Sequence, residues 1–214
     1  MAPILGNKYT MKTETVQIKH VDYEGSKMGM WIFLFTELLF FGGLFLLYAV
    51  YRAQYTQDFH IAADGLDTAF GAINTLILIT SSLTMALSIA AVKNSDMRSS
   101  LIFQTSTILL GTAFLVIKYF EWEAKISHGI FPGSPEMLSQ SQGNIIFYSL
   151  YFVTTGLHGL HVIAGIVILS LMLFFSIKGK INNKDFIKLE NSGLYWHFVD
   201  IVWIYLFPLL YLIT

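Results

Sequence analysis

At residues 154–162 the chain reads TTGLHGLHV, within its longest apolar run, which extends from about Asn144 to Ile177. His158 and His161 are three residues apart, so on a helix they lie on one face. Three glycines in the same run leave the helix thin enough for a neighbouring helix to approach closely. An imidazole deep in an apolar helix is costly in lipid unless it faces protein. The stretch therefore predicts a membrane helix with one side turned toward a specific partner.

The composition also indicates a membrane protein. Of the 214 residues, 55% are hydrophobic and 13% are charged, whereas about 25% are charged in a typical soluble domain. A single soluble core of this size could not hide such a surplus of apolar side chains. The sequence has no cysteine, which excludes disulfides, cysteine–zinc sites, iron–sulfur clusters and covalently attached c-type haem.

Hydropathy predicts an all-α membrane protein with five transmembrane helices. Each crossing of a hydrocarbon layer of roughly 30 Å takes about 20 apolar residues. Five stretches meet this requirement, at about residues 28–50, 69–92, 100–122, 144–177 and 194–214. The fourth would measure roughly 50 Å at 1.5 Å per residue, so it must tilt or protrude into water. Residues 1–27 are predicted to form a polar cytoplasmic tail, and residues 28–214 the five-helix domain.

The basic residues predict the orientation. Ten of them lie in the tail, in the 93–99 turn and in the 178–190 loop, whereas the opposite ends of the spans hold two or three. The ten are Lys8, Lys12, Lys19, Lys27, Lys93, Arg98, Lys178, Lys180, Lys184 and Lys188. Because cytoplasmic loops carry the excess of Lys and Arg, we expect the N-terminus in the cytoplasm and the C-terminus outside.

Several ionisable residues fall within the predicted spans or close to their ends. They are Glu37, Glu121, His158, His161, His197 and Asp200. Such residues suggest function by default, but they can also lock helices together through hydrogen bonds worth about 1 kcal/mol or less. Helix locking is the favoured interpretation for His197 and Asp200, which are three residues apart near the cytoplasmic end. For the deeper Glu37, a functional role and a structural pair remain equally open.

Glu37 needs a partner because desolvation disfavours its charged form. A histidine of the fourth span is the candidate, but the depths match only if that helix protrudes by a turn and a half or more on the cytoplasmic side. A metal or haem is not predicted, because zinc and copper usually take three or four converging ligands. For a haem held by two histidines, His197 is the only facing histidine within a span.

Three blocks resemble a known family: GMWIFLFTELLFF at 29–41, TGLHGLHV at 155–162 and YWHFVDIVW at 195–203. With them the chain resembles subunit III of the haem–copper terminal oxidases, the cytochrome c oxidase subunit III family, in a short five-helix bacterial form. The resemblance covers residues 28–214. Long members have two further helices before Met28, which are absent here.

The resemblance implies a fold and a role. The first two helices would lean away from the last three around a lipid-filled cleft. The chain would carry no redox centre or metal. Haems and copper would belong to partner subunits I and II, whose reaction reduces oxygen and pumps protons. Subunit III would flank and stabilise subunit I, support proton uptake and bind phospholipids but no nucleic acid, in the bacterial cytoplasmic membrane.

The resemblance also assigns residues. Glu37 falls on the carbodiimide-reactive membrane carboxylate of the family, and His158 on the histidine expected to pair with it. Lys178 stands near a basic ligand for lipid headgroups. We further expect a helix-locking or interface role for the set His197, Asp200, Trp196 and Glu121.

The sequence leaves alternatives open for the electron donor of the complex and for the class of protein. Glu at position 37 favours the cytochrome c branch, because quinol-oxidase relatives often carry Asp there. A quinol oxidase subunit III is the alternative. From other classes, a free-standing transporter or proton channel and a di-haem membrane cytochrome are less favoured, since neither paired repeats nor further facing histidines are evident.

Overall fold

A computed structural model describes residues 23–213. This part of the chain is helical and contains no β-strand beyond one isolated bridge between Asn182 and Asp185. The helices are α1 (Tyr23–Gln54), α2 (Thr56–Asp64), α3 (Thr68–Lys93), α4 (Met97–Ser127), α5 (Pro135–Leu138), α6 (Gln142–Ile177) and α7 (Ile187–Tyr211). Five of them, α1, α3, α4, α6 and α7, are long and apolar enough to cross a membrane. The predicted all-α fold with five spans is confirmed, while residues 1–22 of the predicted tail lie outside the described residues.

The helices extend beyond the apolar stretches that predicted them. The first begins at Tyr23 rather than near residue 28, and the last begins at Ile187 rather than near residue 194. Their added turns are polar and hydrogen-bond to one another, so the helices continue past the apolar layer. The connection after α1 contains the short helix α2, whose Phe59 is fully buried in a helix that packs on α6.

α7 is the central helix of the bundle. It packs against α1, α3 and α6, and α4 completes the bundle by packing against α3 and α6. α1 and α3 have no contact with each other in the described structure. The predicted division into a first pair and a last group of three is therefore wrong, and no cleft separates two such groups within residues 23–213.

The reason lies in the side chains of α3. Two of its hydroxyl groups face α4, where Thr84 Oγ1 lies 2.7 Å from Thr107 Oγ1 and Ser88 Oγ lies 3.1 Å from Ser100 Oγ. Small hydroxyl residues favour close packing between membrane helices. α3 therefore pairs with the next helix along the chain rather than with the preceding one.

Trp196 joins four helices at the centre of the bundle. Its indole is fully buried, and Nε1 donates to Ser81 Oγ on α3 at 3.1 Å. The ring packs on Gly111 of α4 and Gly165 of α6, where an added Cβ would lie 2.6 Å and 2.7 Å from ring carbons. These two glycines are thus required to be small, which confirms close approach along α6 at Gly165. Within the histidine stretch, an added Cβ at Gly156 would lie 3.1 Å from the Trp122 ring of α4, whereas one at Gly159 would meet nothing within 4 Å.

One carboxylate ties three helices together at one end of the bundle. Glu190 at the start of α7 accepts hydrogen bonds from Tyr23 at 2.9 Å, Lys27 at 3.0 Å and Lys93 at 3.2 Å. The start of α1, the end of α3 and the start of α7 therefore meet.

Two amide side chains extend the same polar end. Asn183 donates to Ser95 Oγ at 2.9 Å, and Asn191 donates to Ser26 Oγ at 3.0 Å. The described parts of the three basic segments thus share one end of the bundle, as the orientation argument requires. Which membrane side this end faces stays a prediction.

Candidate functional site

The carboxylate of α1 and a histidine of α6 meet inside the membrane-spanning part of the bundle. Glu37 Oε2 lies 3.1 Å from His161 Nε2, and each side chain is 20% exposed. The two residues reach one depth because α1 begins early. Glu37 is about 21 Å along α1 from its first residue, and His161 about 24 Å from the end of α6. Of the two histidines of the fourth span, the structure places His161 beside Glu37, and the proton-related role of the pair stays a prediction.

The second ring nitrogen of His161 fixes how this pair holds protons. His161 Nδ1 lies 2.8 Å from the backbone carbonyl oxygen of Leu157, which only accepts hydrogen bonds. Nδ1 therefore carries a proton, and Nε2 either accepts from a protonated Glu37 or donates to its carboxylate. Both forms are net neutral and share one proton between the two side chains. The geometry favours a proton held between Glu37 and His161.

His158 does not pair with Glu37, so that prediction is wrong. Its ring is fully buried between Phe114 of α4 and Trp203 of α7, at centroid distances of 5.5 Å and 5.2 Å. Neither ring nitrogen has a hydrogen-bond partner within residues 23–213. A spacing of three residues falls about 60° short of a full helical turn, so His158 is directed to the aromatic interior whereas His161 is directed to α1. The structure assigns it a packing position between α4, α6 and α7.

A second polar cluster lies near the opposite end of the bundle. Glu121 accepts from Lys118 at 3.0 Å, from Tyr151 at 2.7 Å and from Tyr211 at 2.5 Å. Lys118 also donates to Tyr211 at 2.7 Å. Lys118 and Glu121 are 8% and 5% exposed. This cluster, which we call the Glu121 cluster, joins α4, α6 and α7 with each charge compensated inside the chain.

His197 and Asp200 lie on α7 where it faces α3. His197 Nδ1 lies 2.6 Å from Ser82 Oγ, so this histidine does bridge two helices. Asp200 is 2% exposed, and neither carboxyl oxygen has a hydrogen-bond partner in the described residues. Because α7 begins at Ile187, both residues lie near the middle of the helix rather than near its cytoplasmic end.

Lys178 follows the last residue of α6 and is exposed. Its Nζ lies 4.4 Å from the centroid of the Phe174 ring, a cation–π contact that leaves the amine at the surface. Within residues 23–213 no three His, Asp or Glu side chains converge in a manner that could hold a metal ion. Lys178 as a lipid ligand stays a prediction.

Sequence reasoning missed the partners of the polar residues. Lys118, Tyr151 and Tyr211 were not assigned to Glu121, and Ser82 was not assigned to His197. One signal was available, because Lys118 and Glu121 are three residues apart and therefore neighbours on a helix. The two tyrosines carry no such signal, since they come from other helices and look like residues of the aromatic belt.

A family model described as cytochrome c oxidase subunit III matches residues 8–214. The chain belongs to the cytochrome c oxidase subunit III family. The sequence-based resemblance is thereby confirmed. As a subunit III of the haem–copper oxidases, the chain is a multi-pass membrane protein by its five spans and a component of an oxidase complex by its family.

Curated relatives of this subunit III cover most of its length. The chain is 32% identical to cytochrome c oxidase subunit 3 of Thermostichus vulcanus over 197 residues, covering 92% of the chain and 90% of the relative. It is 30% identical to cytochrome bo(3) ubiquinol oxidase subunit 3 of Pseudomonas putida, covering 87% and 84%. It is also 30% identical to heme–copper oxidase subunit I+III of Aeropyrum pernix, covering 92% of the chain but 24% of that protein.

Proposed function

We propose that this chain is the non-redox subunit III of a proton-pumping haem–copper oxygen reductase. In this role it packs beside subunit I, stabilises it and supports proton uptake, while the partner subunits hold the haems and copper. The Glu37–His161 pair carries this proposal. It is an ionisable pair in the membrane that shares one proton and keeps a fifth of each side chain exposed at the bundle surface, where a neighbouring subunit can reach it.

The donor set of the chain supports the absence of a redox centre of its own. The sequence has no cysteine, and residues 23–213 bring no three metal-ligating side chains together. The two histidines of α6 point to different neighbours, His158 to aromatic rings and His161 to Glu37. A haem ligated by both is therefore incompatible with the packing of α6.

Subunit I as the main partner is supported by the fused subunit I+III protein of A. pernix. In that protein the two subunits are named as one polypeptide, as is expected for neighbours in one complex. We place subunit II and other oxidase subunits further away, and phospholipids around the bundle with Lys178 as a candidate headgroup ligand. The excess of Lys and Arg at the end formed by Glu190 supports a cytoplasmic location for this end, in a bacterial cytoplasmic membrane.

Reduced cytochrome c is the proposed electron donor of the complex. Relatives named cytochrome c oxidase subunit 3 and the Glu at position 37 support this branch. A quinol oxidase is the second candidate, favoured by the similarity to the P. putida ubiquinol oxidase subunit. Oxygen consumption by the purified complex with reduced cytochrome c or with quinol as the only donor distinguishes the two.

Purification of the tagged chain in a mild detergent tests the function itself. We expect it to elute with haem-bearing subunits that consume oxygen, and we expect no haem absorbance on the chain once these subunits are dissociated. Elution of the chain alone, or a pigment that stays with it after dissociation, would contradict the proposal. Proton transport by the chain alone in liposomes would instead support a channel.

A further inference from the structure

The outer surface of α7 is uncovered between α1 and α3. Since these two helices both pack on α7 but not on each other, they form the two walls of a groove with α7 as its floor. His197 and Ile201 line both halves of it. The half toward α3 also contains Ser82, Leu83 and Asp200 and encloses about 430 Å³. We call the whole depression the α7 groove.

The α7 groove differs from the other outer faces in the kind of polar group that it buries without a partner. Asp200 is an ionisable carboxyl, whereas the corresponding group in the depression between α4 and α6 is the neutral indole Nε1 of Trp122. Asp200 is 2% exposed, and neither carboxyl oxygen has a partner at hydrogen-bonding distance and angle within the described residues. The nearby Ser82 hydroxyl instead lies 2.6 Å from His197 Nδ1. Two hydroxyl groups on the outer face of α4, by contrast, have their hydrogen bonds satisfied within their own helix. Thr105 and Thr112 on α4 each donate to the backbone carbonyl four residues earlier, at 2.8 Å.

A buried polar group without a partner is expensive, and more so within a bilayer, where water cannot replace the partner. Ionisable side chains in membrane spans accordingly pair with one another or with neighbouring protein. Ser82 and Ala86 keep the α3 wall low beside Asp200, and small residues are typical where membrane helices approach closely. The groove thus combines a wide opening, small wall residues and an unsatisfied acceptor.

We propose that the α7 groove seats a transmembrane helix of the partner subunit, and that one side chain of this helix donates a hydrogen bond to Asp200. The proposal rests on the proposed function, because it assigns the face by which this chain joins the oxidase. α1 and α3 flank the seated helix on both sides, and Asp200 fixes its register. Ser82 and His197 form the polar rim beside the bond.

Other occupants fit the groove less well. No Lys or Arg is among the described residues that line either half, so a lipid phosphate finds no cation there, and an acyl chain cannot donate to Asp200. A second copy of this chain on a two-fold axis would set the same patch against itself. A crosslink between two copies in the experiment below would identify that arrangement.

Site-specific photocrosslinking in the assembled oxidase tests the proposal. A photoreactive amino acid replaces Leu83 in the groove or, as the matched control, Leu109 on the outer face of α4. These leucines are 59% and 65% exposed, so both reach their surroundings. We expect a crosslink from position 83 to an oxidase subunit and only lipid adducts from position 109. Lipid adducts alone from position 83, a crosslink to a second copy of the chain, or equal yields from the two positions would overturn the proposal.

A second arm tests the hydrogen bond. With the photoreactive group at position 83, Asp200→Asn retains an acceptor oxygen and should keep the crosslink, whereas Asp200→Leu should lower its yield about tenfold, as expected for one lost hydrogen bond to a carboxyl group. Equal yields from the two variants would show that Asp200 does not reach the partner. Failure of the proposed function is distinct, because the unsubstituted chain would then elute without haem-bearing subunits.

Discussion

Glu121 and Asp200 are two carboxyl groups buried to nearly the same extent, at 5% and 2% exposure, yet their surroundings are opposite. Glu121 accepts three hydrogen bonds from Lys118, Tyr151 and Tyr211. Asp200 accepts none from the described part of the chain and lies in the wall of an open groove. In the first region every charge is compensated within one chain, whereas in the second the proposed partner helix would supply the missing donor.

The difference separates two uses of polar groups in a membrane bundle. A compensated charge such as Glu121 with Lys118 can also accept hydrogen bonds from Tyr151 of α6 and Tyr211 of α7. It thereby holds helices of the same chain together, so its loss affects the chain itself. A buried carboxyl without a partner contributes nothing to the stability of the chain itself, and we expect it to contribute to stability only in the assembled complex. Variants in the two regions should therefore fail at different stages, and the following predictions run from the largest expected effect to the smallest.

Lys118→Met should have the largest effect. It leaves the Glu121 carboxylate buried without its cation, and breaking a buried ion pair in this way costs about 3–5 kcal/mol. The abundance of the chain in membranes, measured by quantitative mass spectrometry, should fall strongly. The double variant Lys118→Met/Glu121→Gln removes the charge while keeping an acceptor for the two tyrosines, and should recover most of the loss. No recovery in the double variant would contradict the role of charge compensation.

Gly165→Ala should have an intermediate effect. Its Cβ would lie 2.7 Å from the rigid indole of Trp196, and overpacking of this kind costs about 1–3 kcal/mol. The thermal midpoint of the assembled complex in detergent should fall. Gly159→Ala on the same helix is the matched control, because an added Cβ there meets nothing within 4 Å. Equal midpoints for the two variants would count against the packing of Trp196 on α6.

Asp200→Leu should leave the amount of chain in the membrane unchanged within about twofold, because it removes a buried carboxyl that has no partner in the chain. Retention of the chain in the complex through repeated detergent washing should nevertheless fall. The measurement is the ratio of this chain to the haem-bearing subunits before and after washing. Normal retention together with a loss of chain from the membrane would show that Asp200 stabilises the chain itself and not its assembly, and would contradict the prediction.

Glu37→Gln should have the smallest effect. Glutamine can still hydrogen-bond to His161, so the bundle should lose about 1 kcal/mol of stability or less. The change also removes the ionisable group that shares a proton with His161. Oxygen reduction by the assembled complex should remain largely intact, because no redox chemistry is assigned to this chain. Proton uptake, measured as the pH change during turnover in liposomes, is the readout that should change. A near-complete loss of oxygen reduction in a fully assembled complex would refute this expectation.

The five spans could be predicted from the sequence, because each span is a local apolar stretch of sufficient length. The meeting of Glu37 with His161 was within reach but depended on where α1 begins. The turn from Tyr23 to Lys27 is polar, so hydropathy places it outside the span, although it is helical. With that turn included, the depths of the two side chains agree without further protrusion of α6.

The neighbours of each helix could not be predicted from the sequence. Hydropathy predicts that α3 crosses the membrane, but it does not predict whether α3 lies beside α1 or beside α4. The choice of α4 depends on contacts between hydroxyl groups such as those of Ser88 and Ser100. The choice between His158 and His161 failed for the same reason. Two residues one helical turn apart look equivalent along the chain, and only the positions of α1 and Trp203 distinguish them.

The long-range anchoring of α1 has a consequence for biosynthesis. Tyr23 binds Glu190 across 167 positions, Glu37 binds His161 across 124, and Tyr48 donates to the Leu209 carbonyl across 161. At a translation speed of about 5–20 residues per second, the first helix spends roughly 6–30 s in the bilayer before these anchors have been synthesised. The α3–α4 hairpin needs no such delay, so α1 is fixed in place later than the two helices that follow it in the membrane.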